Sequence, residues 1–285
     1  MYFGSVKFFK NMLLMLVILG ICIPSGLAIY YHSQLSRSQA SGAGAETSGG
    51  NGAYPAVDTE SIDYQTLYPD FYAPQPYNAT VRQSNRIYLT FDGAISANTE
   101  EILQILADKG ASATFFLSGN TDTADPATLQ KIVDAGHTLG LYAWSEDLPT
   151  MYSSVSSYLA DVYQLFAYIR DNLGVTPTVF RFPGGSVNSY DAGFYQELIA
   201  EMIRRGFVPY DWNINLADLG SSNISANVET VMERLQALDR AILLLRPDTA
   251  SVSYLPLLLD RFQQAGFTCD ALQSDTKPAL FAYPN

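Results

Sequence analysis

Histidine is nearly absent from this 285-residue chain, with His32 and His137 the only two. Imidazole is the side chain whose ordinary pKa lies nearest neutrality and the commonest metal ligand. Its scarcity excludes a three-histidine metal centre and leaves little for histidine-based acid–base work. Cysteine is equally sparse: Cys22 sits in an apolar N-terminal run and Cys269 near the other end, so neither a disulfide framework nor a cysteine metal site is expected. Positive charge is short as well. Sixteen Lys and Arg against 28 Asp and Glu give a formal net charge of −12, and a nucleic-acid partner is not expected because its phosphates would be repelled.

Long apolar runs are confined to one place. Residues Asn11 to Tyr31 carry no formal charge, and at about 1.5 Å per residue they reach about 30 Å, the thickness of a bilayer core. Lys7 and Lys10 precede this run and only Arg37 follows closely, which predicts a cytoplasmic segment 1–10, a single-pass anchor 11–31 and an extracytoplasmic remainder at the cell membrane. A cleaved signal peptide is the competing reading, with Gly26-Leu27-Ala28 as the small-residue cleavage site. Residues 32–53, rich in Ser, Gly and Ala, read as a flexible linker. Residues 54–85 are rich in Tyr and Pro: between Tyr54 and Tyr77 stand five tyrosines and four prolines. They read as an extended segment laid on a folded domain, or as an aromatic surface for sugars or a partner.

From residue 86 to 285 the chain reads as one domain. Ile87, Leu89 and Phe91 alternate with Tyr88 and Thr90 and deliver Asp92 to the end of a strand. Asn98 and Glu101 have capping-box spacing before a helix. Further strands are expected at 113–117, 138–143, 178–182, 207–211, 241–245 and 267–272. Helices fall between them: one is capped by Asp125 with Pro126 first, one runs from Val155 to Leu173, and the last runs from Leu255 to Phe262. Alternation of seven strands with six helices predicts a parallel sheet covered by helices, and a closed or nearly closed barrel rather than an open sheet. Working residues in such barrels collect at the C-terminal strand tips. Here those tips carry Asp92, Ser118, the turn from Tyr142 to Glu146, Arg181, Asp211 with Trp212, Arg246 and Asp270.

The stretches T-F-D ending at Asp92, G-H-T-L-G-L-Y-A-W-S-E-D-L from Gly136, R-F-P-G-G-S from Arg181, D-W-N-I-N-L-A-D from Asp211 and L-L-L-R ending at Arg246 carry a resemblance. Over about Arg86 to Leu272 the chain resembles the polysaccharide deacetylase family, the NodB-homology or carbohydrate esterase family 4 domain. The resemblance implies a distorted (β/α)7 barrel that removes acetyl groups from chitin-like or peptidoglycan sugars with zinc or another divalent ion. It assigns Asp92 to the general base and Arg181 to that base's partner, with Pro183 in the same motif. Asp211, Trp212 and Asp218 are assigned to the substrate groove.

The family's second acid, a metal ligand, is Gly93 here. Its two histidine ligands are Tyr142 and Glu146, and its acid histidine is Arg246. A phenol ionises only near pH 10, and a guanidinium cannot give up its proton at neutral pH. A guanidinium about 4 Å from a dication would also be repelled by roughly 8 kcal/mol at an effective dielectric of 20. No cofactor is therefore expected. Two functions follow: a binding or scaffolding protein for cell-wall or other acetylated polysaccharide, or a deacetylase with non-standard metal ligation.

Overall fold

The computed structural model describes residues 63–74, 85–119, 125–145, 147–191, 193–219 and 222–281. The apolar stretch 11–31, the linker, most of the Tyr/Pro-rich segment and Glu146 lie outside the described residues. Among those described, no helix is long and apolar enough to cross a membrane.

Eight strands form one sheet: β1 (Arg86–Gly93), β2 (Thr114–Ser118), β3 (Thr138–Ala143), β4 (Val179–Phe180), β5 (Val208–Pro209), β6 (Ile214–Asn215), β7 (Ala241–Leu245) and β8 (Thr268–Asp270). Their order is β5-β4-β3-β2-β1-β7-β6, every ladder is parallel, and β8 pairs with the first residues of β1. The expected closed or nearly closed seven-strand barrel is thus a curled half-barrel of eight. Strands β5 and β6 are its two ends. Four residues separate Val208–Pro209 from Ile214–Asn215 in sequence, and no ladder joins them. The segment around Ala279 lies along the β5 edge instead, bridging Tyr210 and accepting the Asp211 N–H at 2.6 Å.

The helices are α1 (Thr99–Asp108), α2 (Pro126–Asp134), α3 (Leu148–Met151), α4 (Val155–Leu173), α5 (Tyr195–Arg204), α6 (Ile224–Leu235) and α7 (Thr249–Gln264). Asp125 caps α2 as expected, accepting from the backbone of Ala127 and Thr128. The Asn98 capping box does not form. Asn98 itself is helical; Thr99 Oγ1 accepts the Ser96 N–H and Ser96 Oγ accepts the Asn98 N–H at that turn. Helix α7 begins earlier than Leu255, because Asp248 caps it at Ser251 and the exposed Pro256 is tolerated within.

Strand alternation separates two apolar layers. Phe115 faces the helices, while its neighbour Phe116 points into the curl with Val179, Val208, Tyr210, Ile242 and Leu272. Gly140 on β3 permits this, since a Cβ there would lie 2.5 Å from the Phe116 ring.

Residues 63–74 pack against α4 and α5. Phe71 is fully buried against Tyr163, Phe166 and Phe207, and Tyr68 stacks on Tyr163 at 4.3 Å. The buried Arg205 fixes this segment. Its guanidinium donates to the carbonyls of Tyr64, Leu67, Tyr68 and Phe71 and pairs with buried Glu201 at 2.6 Å. A cation without acid neighbours in that position would be costly, and Glu201 removes that cost.

Candidate functional site at the strand tips

The C-terminal ends of β1, β2, β3 and β7 surround a cavity of about 370 Å³. Its wall includes Asp92, Gly93, Ser118, Tyr142, Ser145, Leu148, Pro183 and Arg246. Six of the residues read from the sequence, Asp92, Gly93, Ser118, Tyr142, Pro183 and Arg246, therefore share one site.

Behind that wall lies the most constrained group in the molecule. Arg181 follows β4 and is fully buried. Its guanidinium donates to Asp92 Oδ1 at 2.6 Å, Thr90 Oγ1 at 2.8 Å, the Tyr210 carbonyl at 2.7 Å and the Asp211 carbonyl at 3.3 Å. It lies over the Phe116 ring at 4.4 Å, and Thr90 passes a bond on to the Leu243 carbonyl at 2.6 Å. One guanidinium thus ties β1, β4, β7 and the chain after β5 together. Burial pushes the Asp92 carboxyl up to about 6, against the downward pull of Arg181 and, more weakly, Arg246.

Tyr142 leaves β3 with its ring along the cavity. Burial is the main cause that pushes its phenol up to about 12. The hydroxyl stays protonated at neutral pH. Arg246 ends β7 and stands exposed at the rim. The turn after it is tied to the β1 tip by the Ser96 hydroxyl, which donates to the Pro247 carbonyl.

Other predicted residues lie elsewhere. Asp211 is buried and spent on structure: it accepts the Ser186 N–H at 3.0 Å, the Ser186 hydroxyl at 2.5 Å and the Phe281 N–H at 2.6 Å. Trp212 lines a separate cavity of about 480 Å³ with Arg240, Lys277 and Phe281. Phe281 packs edge-on against its ring at 5.0 Å, so it is no wall of the Asp92 cavity. Asp218 belongs to a short 3-10 turn and accepts from Asn215 Nδ2 at 3.0 Å. His137 is buried, accepts the Ala113 N–H through Nδ1 at 3.2 Å, and is held neutral by burial, which lowers it to about 4.

Sequence reasoning missed two supports. Asp161 on α4 accepts the N–H groups of Trp144 at 2.7 Å and Ser145 at 3.0 Å and so shapes the turn after Tyr142. Its signal was available, because an acid three residues after Tyr158 and four before Leu165 falls on the buried face of the helix. Ser186, the clamp on Asp211, closes the R-F-P-G-G-S stretch, but nothing in that stretch marks it as the partner of Asp211.

A divalent ion does not fit these donors. One Asp92 oxygen is committed to Arg181, Gly93 offers no side chain, Tyr142 keeps its proton, and Arg246 brings a fixed positive charge to the same cavity. Among the described residues no group of three His, Cys, Asp or Glu could hold a metal.

Residues 80–201 match the family model for polysaccharide deacetylase. The chain is 26% identical over 223 residues to the peptidoglycan-N-acetylglucosamine deacetylase of Bacillus cereus, covering 75% of this chain and 78% of that one. The catalytic domain of peptidoglycan N-acetylglucosamine deacetylase from Eubacterium rectale superposes with a TM-score of 0.67 at 25% identity, over 73% of this chain and 98% of that one. A mutant of a CE4 family pseudoenzyme with restored enzymatic activity shares the fold, with a TM-score of 0.58 at 20% identity over 73% of this chain and 74% of that one. By the matched segment, the half-barrel and these relatives together, residues 80–201 are a polysaccharide deacetylase domain.

Proposed function

We propose that the domain binds acetylated glycan of the cell envelope without metal-dependent deacetylation, held at the membrane by residues 11–31. The observation that carries this is the donor set at the strand tips, where a ligand-poor cavity faces an Asp92 already paired with Arg181. The family match and its peptidoglycan-deacetylase members support the glycan class. A pseudoenzyme of the same fold supports the idea that the scaffold outlasts the activity.

The purified chain is expected to take up zinc, cobalt or manganese no more tightly than about micromolar. It is expected to release no acetate from acetylated chito-oligomers or peptidoglycan fragments, while co-sedimenting with insoluble peptidoglycan. Stoichiometric metal, with acetate release that Asp92→Asn abolishes, would overturn this reading in favour of an active deacetylase with unusual ligation. The feature favouring that alternative is Asp92, a carboxyl raised to about 6 beside a cavity, as a general base would be. The anchor has its own test: the chain should stay with the membrane after carbonate washing, and a soluble mature form beginning near Ile29 would sink it.

A further inference from the structure

Formal charge in the strand-tip cavity is unbalanced in one direction. Its described titratable residues are Asp92, Tyr142 and Arg246. Arg181 cancels Asp92 at 2.6 Å, with both side chains buried. Tyr142 is a neutral donor: burial holds its phenol protonated, so the phenolic proton is there to give. What remains is the guanidinium of Arg246, which makes no ion pair among the described residues. The hydroxyl residues Ser118 and Ser145 line the same cavity, and the missing side chain at Gly93 leaves its wall open, with only Pro247 Cδ at 3.9 Å from where a Cβ would stand. A chain of net charge −12 therefore places in one concave site a cation with no ion-pair partner among the described residues, together with several hydroxyl donors.

We propose that this cavity binds the carboxylate of an acidic sugar, with Arg246 as the cation that receives it and the hydroxyls of Tyr142, Ser118 and Ser145 as donors beside it. This rests on the glycan-binding reading and names the substrate class for it. A guanidinium presents parallel N–H groups that match a carboxylate's two oxygens, and such charge-assisted bonds are about twice as strong as neutral ones. A volume of about 370 Å³ falls in the range of small-molecule sites, about 300–1,000 Å³, and has room for one sugar residue. A neutral sugar would satisfy the hydroxyls and leave Arg246 with water. An acidic one uses every donor named.

The test is calorimetric titration of the full chain, in detergent, with two matched pairs: N-acetylmuramic acid against N-acetylglucosamine, and glucuronic acid against glucose. At least one acid should bind about tenfold more tightly than its neutral partner. The pair that shows it tells whether an ether-linked or a ring carboxylate is read. Arg246→Gln should bring the two members of that pair within about twofold, and Arg246→Lys should keep part of the preference. Because Arg246 is exposed, both variants should keep the unmodified circular dichroism spectrum. Neutral and acidic sugars binding alike, or an acid preference that survives Arg246→Gln, would overturn the carboxylate proposal while leaving glycan binding intact. No binding of any of the four, with no retention on insoluble peptidoglycan, would remove both.

Discussion

Arg181→Met is expected to lower the unfolding free energy by about 3–5 kcal/mol, because it strands a buried carboxylate and orphans several acceptors at once. Asp92 would lose its one ion-pair partner among the described residues, and the carbonyls of Tyr210 and Asp211 would lose a donor they share across the sheet. Asp92→Asn should cost less, since Arg181 keeps Thr90 and both carbonyls. The double variant should be destabilised by less than the sum, with a coupling of about 1–3 kcal/mol, measured by urea unfolding of all four proteins. Strict additivity would show that the pair does not act as one unit.

The pH dependence carries the sign. A folded-state carboxyl raised above its ordinary value contributes stability that is fully present below about pH 4 and is lost as pH rises through about 6. This loss should grow and extend to higher pH in Arg181→Met, where the compensating cation is gone, and it should vanish in Asp92→Asn. His137 acts oppositely: its lowered value removes stability as pH falls from about 6.5 towards 4. The Asp92 component is therefore read as the difference between variants.

The strand-tip rule carried the sequence a long way. Asp92, Ser118, Tyr142 and Arg246 come from four separate stretches, yet line one cavity, because each closes a run of alternating or wholly apolar residues whose direction the parallel sheet fixes. The same rule overreached at Asp211 and Trp212. It identifies residues at a rim without saying towards which side they turn, and at the open end of the half-barrel the C-terminal segment takes that space instead. Strands 178–182 and 207–211 were read too long for a related reason. Their last residues leave the ladder so that Arg181 and Asp211 can bond across it, which is tertiary information. The eighth strand, Ile214–Asn215, is two residues long and too short for any periodic signal.

Replacing four residues at once, Gly93→Asp, Tyr142→His, Glu146→His and Arg246→His, is expected to tighten zinc binding by at least about a hundredfold, before any acetate release is detectable. The order follows from what each property needs. Ligation requires deprotonated donors around one point, whereas turnover also requires a shaped groove and an acid held at the leaving group. Two of the changes act by removal as well as addition, because Tyr142→His deletes a phenol pushed up to about 12 and Arg246→His deletes the fixed cation. Single replacements should therefore change zinc affinity by no more than about threefold.

Gly93→Asp is the demanding member. Gly93 has φ of +125°, a conformation that side chains other than glycine's rarely adopt, so the space beside Pro247 does not make the substitution easy. That strain should cost about 1–3 kcal/mol, visible as a lower melting temperature in Gly93→Asp alone. In the fourfold variant, saturating zinc should return part of the loss, since a ligand that binds only the folded state stabilises it. A Gly93→Asp chain as stable as the unmodified one would show that the β1 tip is not committed to its glycine. A fourfold variant that melts no higher with zinc than without would show that the strand tips no longer hold the geometry of a metal site.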